Sequence, residues 1–568
     1  MTEKFVPEAK YDLKSVKLPY LSGMLLRLFV KLLEGRFKFL LLPTLFENAG
    51  VTWFRKQRVK ESPQMYPIHS VNTGPDDTKS ISFANWPKTG SSVSSGFQAE
   101  TVFDFAEAYK NGKITPEEVA QNVLNAIDSS DMGDTALKAF ITVKREEVLI
   151  QAEESTRRIK NGQPLSVLDG VPVAVKDEVD MVSYPTTAGT AFLGRHAASA
   201  DSTVVARLRS AGALLIGKTN MHEIGIGVTG LNPIHGTPRN PHNPDHHSGG
   251  SSSGSSVAVA AGFCPLAIGA DGGGSIRIPS AFCGIVGLKP TFGRISESGA
   301  VDLCWSVAHL GPIGSSVSDV VVGYAAMSGP DEMDSMTIHQ PSPRLDDWNS
   351  GDVHNLKIGI YWPWFRHATN DIVETCEAML ANFEHAGAKI IDITIPDLEL
   401  SRVAHTITIA GEMAQALGHT YDNHHKEHGA DVRVNLALAR ALSTQDYIQA
   451  QRVRRRMINH LNQAFKQVDI IMTPTTGITA HKIKSWALSG GESDLTTLFE
   501  IMRFAPLANL TGLPAISFPV GYDSNGLPIG MQAIGPAWQE SQLFRVAYFA
   551  EQFIERNKPV IHYSLVPE

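Results

Sequence analysis

Seven short apolar runs, at residues 171–175, 213–216, 265–269, 357–361, 389–394, 468–472 and 514–520, constrain this chain more than any other feature. Each is long enough for one buried strand and too short for a stable isolated helix. Stretches with helical spacing lie between them, 203–210 and 372–386 among them. Such alternation predicts an α/β fold, a large twisted mixed sheet with helices on both faces. Thr115, Pro116 and Glu118 supply an N-cap, a first-turn proline and the glutamate of a capping box, so a helix starts there.

The chain has 568 residues, enough for several domains, but the runs favour one large unit over 101–568 preceded by a different element over 1–100. Residues 20–47 are apolar yet interrupted by Arg27, Lys31, Glu34, Arg36 and Lys38, so they fall short of the roughly 20 apolar residues a spanning helix needs. In helical phase Arg27, Lys31, Glu34 and Lys38 share one face, and Leu25, Phe29, Leu32 and Leu33 another. This predicts a pair of amphipathic helices whose apolar side meets the protein's own core, a lipid headgroup layer or a second copy of the chain. Residues 62–100, rich in Ser, Pro, Gly and Asn, read as a connecting segment.

A net charge of −8 gives no basic footprint for nucleic acid. The four cysteines form no CxxC pair, which points away from a zinc knuckle or disulfide framework and toward a reducing compartment. The mixed-charge start MTEKFVPEAKYDLK does not read as a secretory signal, so an intracellular protein, cytoplasmic or peripherally bound to membrane, is expected.

The chemistry concentrates in residues 249–289, where two serine-bearing glycine-rich loops, GGSSSGSS and ADGGGS, flank an apolar segment. Such loops let backbone approach a ligand, and their N–H groups can converge on developing negative charge. Ser251 and Ser275 are the candidate nucleophiles, and a serine needs a base within hydrogen-bond reach. His235, His242, His246 and His247 crowd the preceding loop, but no carboxylate and histidine arrangement on a helix accompanies them, so they read as loop histidines rather than a metal site or base. Lys176, at the end of VPVAVK, is the other candidate: a base if burial keeps it neutral, or a salt-bridge partner of Asp177 or another carboxylate. No Walker A loop or Rossmann fingerprint is present, and no cofactor or metal is implied.

Taken together, GVPVAVKD, GGSSSGS and DGGGSIRIPSAFCGIVGLKPT resemble the amidase signature family, over roughly residues 101–545. The SSSGS and DGGGS strings and the N-terminal LPYLSGMLLRLFVKLLE are most similar to the plant-type fatty acid amide hydrolases. Ala270 departs from the threonine usual in the family. The resemblance implies Ser275 as acyl-enzyme nucleophile, Ser251 as bridging serine after a cis peptide, and Lys176 as terminal base. It also implies that the N–H groups of Gly272, Gly273, Gly274 and Ser275 line an oxyanion hole. Asp271 and Arg277 either pair with each other or take separate partners. The implied substrate is a lipid amide such as an N-acylethanolamine; small or aromatic amides, or ammonia supply within a tRNA-dependent amidotransferase, are the alternatives. A homodimer and peripheral membrane contact through the N-terminal helices complete the expectation.

Overall fold

The structure, a computed structural model, describes residues 10–16, 18–70 and 95–567. Much of the expected connecting segment, 71–94, therefore lies outside the described residues. Eleven strands form one sheet: β1 (Phe140–Thr142), β2 (Pro172–Lys176), β3 (Leu214–Thr219), β4 (Leu266–Ala270), β5 (Val286–Lys289), β6 (Leu310–Gly314), β7 (Lys357–Ile360), β8 (Lys389–Asp392), β9 (Ile470–Pro474), β10 (Ala515–Tyr522) and β11 (Pro528–Ile534). Their order is β8-β7-β9-β11-β10-β5-β6-β4-β2-β3-β1. The sheet is mixed: β2 pairs parallel with β3 and β4, and β7 with β8 and β9, while the strands between these groups run antiparallel. All seven apolar runs are strands of it.

Every residue of β2, β3, β4, β5, β6, β9 and β11 is buried. Successive side chains point to opposite faces, so both faces are covered, as the near-continuous apolar runs require. The Thr115 capping box forms as expected, with Thr115 accepting from Glu118 N–H at the start of Pro116–Ser130.

Two helices precede this body, α1 (Gly23–Glu34) and α2 (Lys38–Asn48). The buried stripe of α1 is Leu26, Val30 and Leu33, packed with Ala430 and Val434, and Glu34 pairs with Arg433. Leu25, expected on the apolar face, is 66% exposed and does not pack on the body. Leu25 and Leu26 lie on adjacent stripes of the apolar side, and periodicity alone cannot choose which of the two meets the core. Met24, Leu25, Leu28, Phe37, Phe39 and Leu40 form an exposed apolar surface beside Arg27, Lys31, Arg36 and Lys38. Among the described residues no helix is long and apolar enough to cross a membrane.

Candidate active site

Parallel pairing of β2 with β4 aligns Val175 with Ile268, so both strands deliver their C-terminal residues to one edge of the sheet. That is the edge where open parallel segments bind ligands. Lys176 ends β2, and Ala270 ends β4 and leads into Asp271–Ser275. The helix α3 (Ser253–Ala260) lies against β2 and β4, which places Ser251, just ahead of it, at the same edge. The Gly250–Ser251 peptide is cis.

The Lys176 Nζ donates to Ser251 Oγ at 2.9 Å and to the Ala270 carbonyl at 3.3 Å. Glu178 Oε2 lies 3.3 Å from the same nitrogen. Burial pulls the Lys176 pKa below the ordinary lysine value, and the Glu178 carboxylate, then Asp271, oppose that pull. Of the two sequence readings of Lys176, the structure realises both contacts, and the carboxylate is Glu178. Asp177 faces Lys218 at 3.5 Å and accepts from Thr187.

Ser275 is 5% exposed, and among the described residues its hydroxyl has no hydrogen-bond partner. It borders two cavities of opposite character. One, of about 330 Å³, is lined by Lys176, Ser251 and the acids Glu178, Glu297 and Asp302. The other, of about 170 Å³, is walled by Phe46, Ile407, Ala410, Met413, Leu498 and Met502. Leu45 and Phe46 come from α2, so the N-terminal helices close one side of the apolar cavity.

The loop before Ser275 is braced from within. Asp271 and Arg277, both fully buried, pair at 2.9 Å. Burial alone would raise the Asp271 pKa, but Arg277, Asn509 and Lys289 outweigh it and hold the carboxyl far below the usual range. The Gly274 N–H donates to Asp271 Oδ1 at 2.6 Å, so it is taken by the loop itself rather than offered to a substrate, contrary to the expectation that all four N–H groups line an oxyanion hole. The N–H groups of Gly272, Gly273 and Ser275 have no partner among the described residues.

Sequence reasoning missed His405, from the helix α4 (Leu398–Ala416). Its Nε2 lies 2.8 Å from the Gly272 carbonyl, and burial pushes its pKa down to about 4, leaving a neutral ring that donates that hydrogen bond. It also missed Asn509, which donates to the Asp271 carbonyl at 2.8 Å. Both come from far along the chain, and neither sits in a string that announces it. Of the loop histidines, His235 Nε2 meets the Thr190 carbonyl, and His242, His246 and His247 lie away from Ser275 and outside both cavities.

Comparison with known proteins identifies the family. The Amidase family profile matches residues 121–544. A fatty acid amide hydrolase of Medicago truncatula is 38% identical, covering 98% of this chain and 96% of the relative. A glutamyl-tRNA(Gln) amidotransferase subunit from Halothermothrix orenii is 33% identical over 80% of this chain and 96% of the relative. The solved native peptide amidase of Stenotrophomonas maltophilia superposes with a TM-score of 0.71 at 27% identity, over 82% of this chain and 98% of that one. With a profile match across most of its length and full-length relatives above the identity at which a fold is shared, this chain belongs to the amidase family.

Proposed function

We propose that this amidase hydrolyses fatty acid amides, N-acylethanolamines among them, through an acyl-enzyme on Ser275. The observation that carries the reading is the shared position of Ser275 between an apolar cavity, roofed by the N-terminal helices, and a polar cavity containing Lys176 and Ser251. An acyl chain occupies the first, and the amine lies in the second. Ser275 Oγ attacks the amide carbonyl as its proton passes to Ser251 and that of Ser251 to neutral Lys176. The N–H groups of Gly272, Gly273 and Ser275 take the oxyanion. The same relay, run backwards, protonates the departing nitrogen, and a water admitted from the polar side then releases the acid.

The exposed apolar surface of α1 and α2, ringed by cations, rests on a lipid surface, from which a long-chain amide reaches the cavity without crossing water. Support comes from the relatives as well: the fatty acid amide hydrolases match the chain through its N-terminal helices, whereas the amidotransferase relative covers less of it.

The test is hydrolysis of a matched series of N-acylethanolamines beside an aromatic amide and glutamine, with Ser275→Ala as blank. Burial of each methylene is worth about 0.8 kcal/mol, so kcat/KM should rise about fourfold per CH₂ until the cavity is filled. Ala410→Phe, which fills part of the cavity, should flatten that rise while sparing the shortest substrates. A flat profile in the parent enzyme returns the substrate to small amides. Vesicle flotation, beside sedimentation without lipid, tests the surface; a stable dimer that covers it without binding vesicles would replace the lipid with a second copy.

A further inference from the structure

A second cluster of chemistry lies away from Ser275, where the N-terminal segment joins the body. His247 ends the short strand Asn243–His247, and its backbone N–H donates to the His481 carbonyl at 3.0 Å, which sets the two rings side by side with centroids 4.5 Å apart. Glu492 completes the group, with Oε1 3.9 Å from His247 Nε2. One ligand atom from each of the three lies within 4.8 Å of the others. His247 is fully buried, and neither of its ring nitrogens makes a well-aligned hydrogen bond, the Thr229 backbone being the nearest polar neighbour; Nδ1 of His481 also has none. Leaving three buried ring nitrogens unpaired carries a desolvation cost that a protein interior normally avoids.

The surrounding groups prepare the carboxylate for one further partner. Glu492 Oε2 is occupied by the Tyr20 hydroxyl at 2.8 Å, which leaves Oε1 facing the histidines. Lys484 lies 3.8 Å from Oε2 and 3.5 Å from Asp494, so its charge is shared between the two acids. A small cavity of about 40 Å³, bordered by His222, Asp431, His481 and Glu492, reaches two members of the group.

We infer that His247, His481 and Glu492 bind a divalent transition-metal ion of the zinc class, with water from the small cavity as fourth ligand. Two imidazoles and one carboxylate oxygen are a donor set that selects zinc, cobalt or nickel over magnesium and calcium. Tetrahedral zinc at about 2.0–2.1 Å from each ligand sets ligand atoms roughly 3.4 Å apart, so the three side chains close by about 1 Å on binding. The ion joins two parts of the molecule. Glu492 pairs with Ser22 in the two-stranded ribbon Leu21–Ser22 with Glu492–Ser493, directly ahead of α1, and His247 precedes Ser251 by four positions. Metal binding therefore clamps the N-terminal helices to the segment that leads to Ser251.

The experiment uses the tag-free full chain, stripped with chelator and dialysed against zinc, with cobalt as a spectroscopic probe. The expected result is one zinc retained per chain, visible d–d bands of tetrahedral cobalt, a higher Tm with zinc, and slower proteolysis near residue 20. Losing a residue that merely supports a ligand weakens metal binding roughly 10–100-fold, so His481→Gln and Glu492→Gln should each exceed that and abolish the cobalt bands. Labelling of Ser275 by a fluorophosphonate reports which variants are folded. Failure to retain zinc, or cobalt bands that persist in either folded variant, overturns the inference. Neither result bears on amide hydrolysis, which is read separately.

Discussion

Asp271→Asn tests how the loop ahead of Ser275 keeps its shape. The substitution preserves volume and removes charge, yet the structure leaves no good orientation for the amide. Asp271 Oδ1 accepts from Gly274 N–H at 2.6 Å, Arg277 Nη2 at 3.1 Å and Asn509 Nδ2 at 2.9 Å. Oδ2 accepts from Ile276 N–H at 3.2 Å, Arg277 Nε at 2.9 Å and Arg277 N–H at 3.4 Å. Both oxygens face only donors, so either rotamer of an asparagine turns its NH₂ against three of them. Removing one partner of a buried ion pair costs about 3–5 kcal/mol. Arg277 keeps Gln532, the Ala505 carbonyl and Asn509 as acceptors, which places the loss near the lower end, about 3 kcal/mol.

With a urea m-value of roughly 3 kcal/mol/M, the unfolding midpoint should fall by about 1 M. Because the folded Asp271 carboxyl is held far below its unfolded value, its contribution is fully present above the unfolded pKa and lost only as pH falls through the folded one. The difference between variant and parent should therefore be constant from about pH 5 to 8. Single-turnover acylation should slow by about 10²–10³, the effect of losing one oxyanion donor, because Gly272 to Ser275 are no longer anchored. A midpoint within about 0.2 M of the parent, together with unchanged acylation, would refute the reasoning.

Three further outcomes follow from the same geometry. Lys176→Ala should reduce kcat/KM by about 10²–10⁴. Glu178→Gln should move the acid limb of the pH profile to lower pH, since loss of the opposing carboxylate disfavours the ammonium; a limb that stays or rises contradicts the role given to Lys176. Gly274→Ala places a Cβ 2.5 Å from Ile278 Cδ1 and 2.8 Å from Ala505 Cβ at a φ of +114°. Backbone strain of about 1–3 kcal/mol and overpacking of a similar size should add, whereas Gly112→Ala, also left-handed but in open space, should show only the backbone part in the same denaturation assay.

Most of the seven apolar runs announced their strands because burial on both faces leaves a continuous hydrophobic signature; the edge strand β8 is only half-buried. β6 (LGPIG) and β11 (PIGMQAI) escaped because glycine and proline read as turns. Those glycines serve packing instead: a Cβ on Gly311 would collide with the Leu288 carbonyl, and one on Gly530 would sit 2.6 Å from Ala281 Cβ. At the site, Lys176, Ser251 and Ser275 were legible because each closes or follows a strand or opens a helix with a recognisable string. Glu178, His405 and Asn509 were not, because what places them is tertiary contact across the fold. His481 and Glu492 were hidden for the same reason, more than 200 positions from His247.

The helix α4 has one end in each problem the enzyme must solve. Through His405 it holds the Gly272 carbonyl, and through Ile407, Ala410 and Met413 it forms a wall of the apolar cavity. A chain that fills the cavity presses on the same rigid body that aims the Gly272 peptide. Under the proposed function, recognition of the remote tail should therefore convert into alignment at the reacting carbon, so that discrimination between long and short chains is read in turnover as well as in occupancy. Chain length would then act as a timing signal, a short amide meeting a loop less firmly set than a long one does.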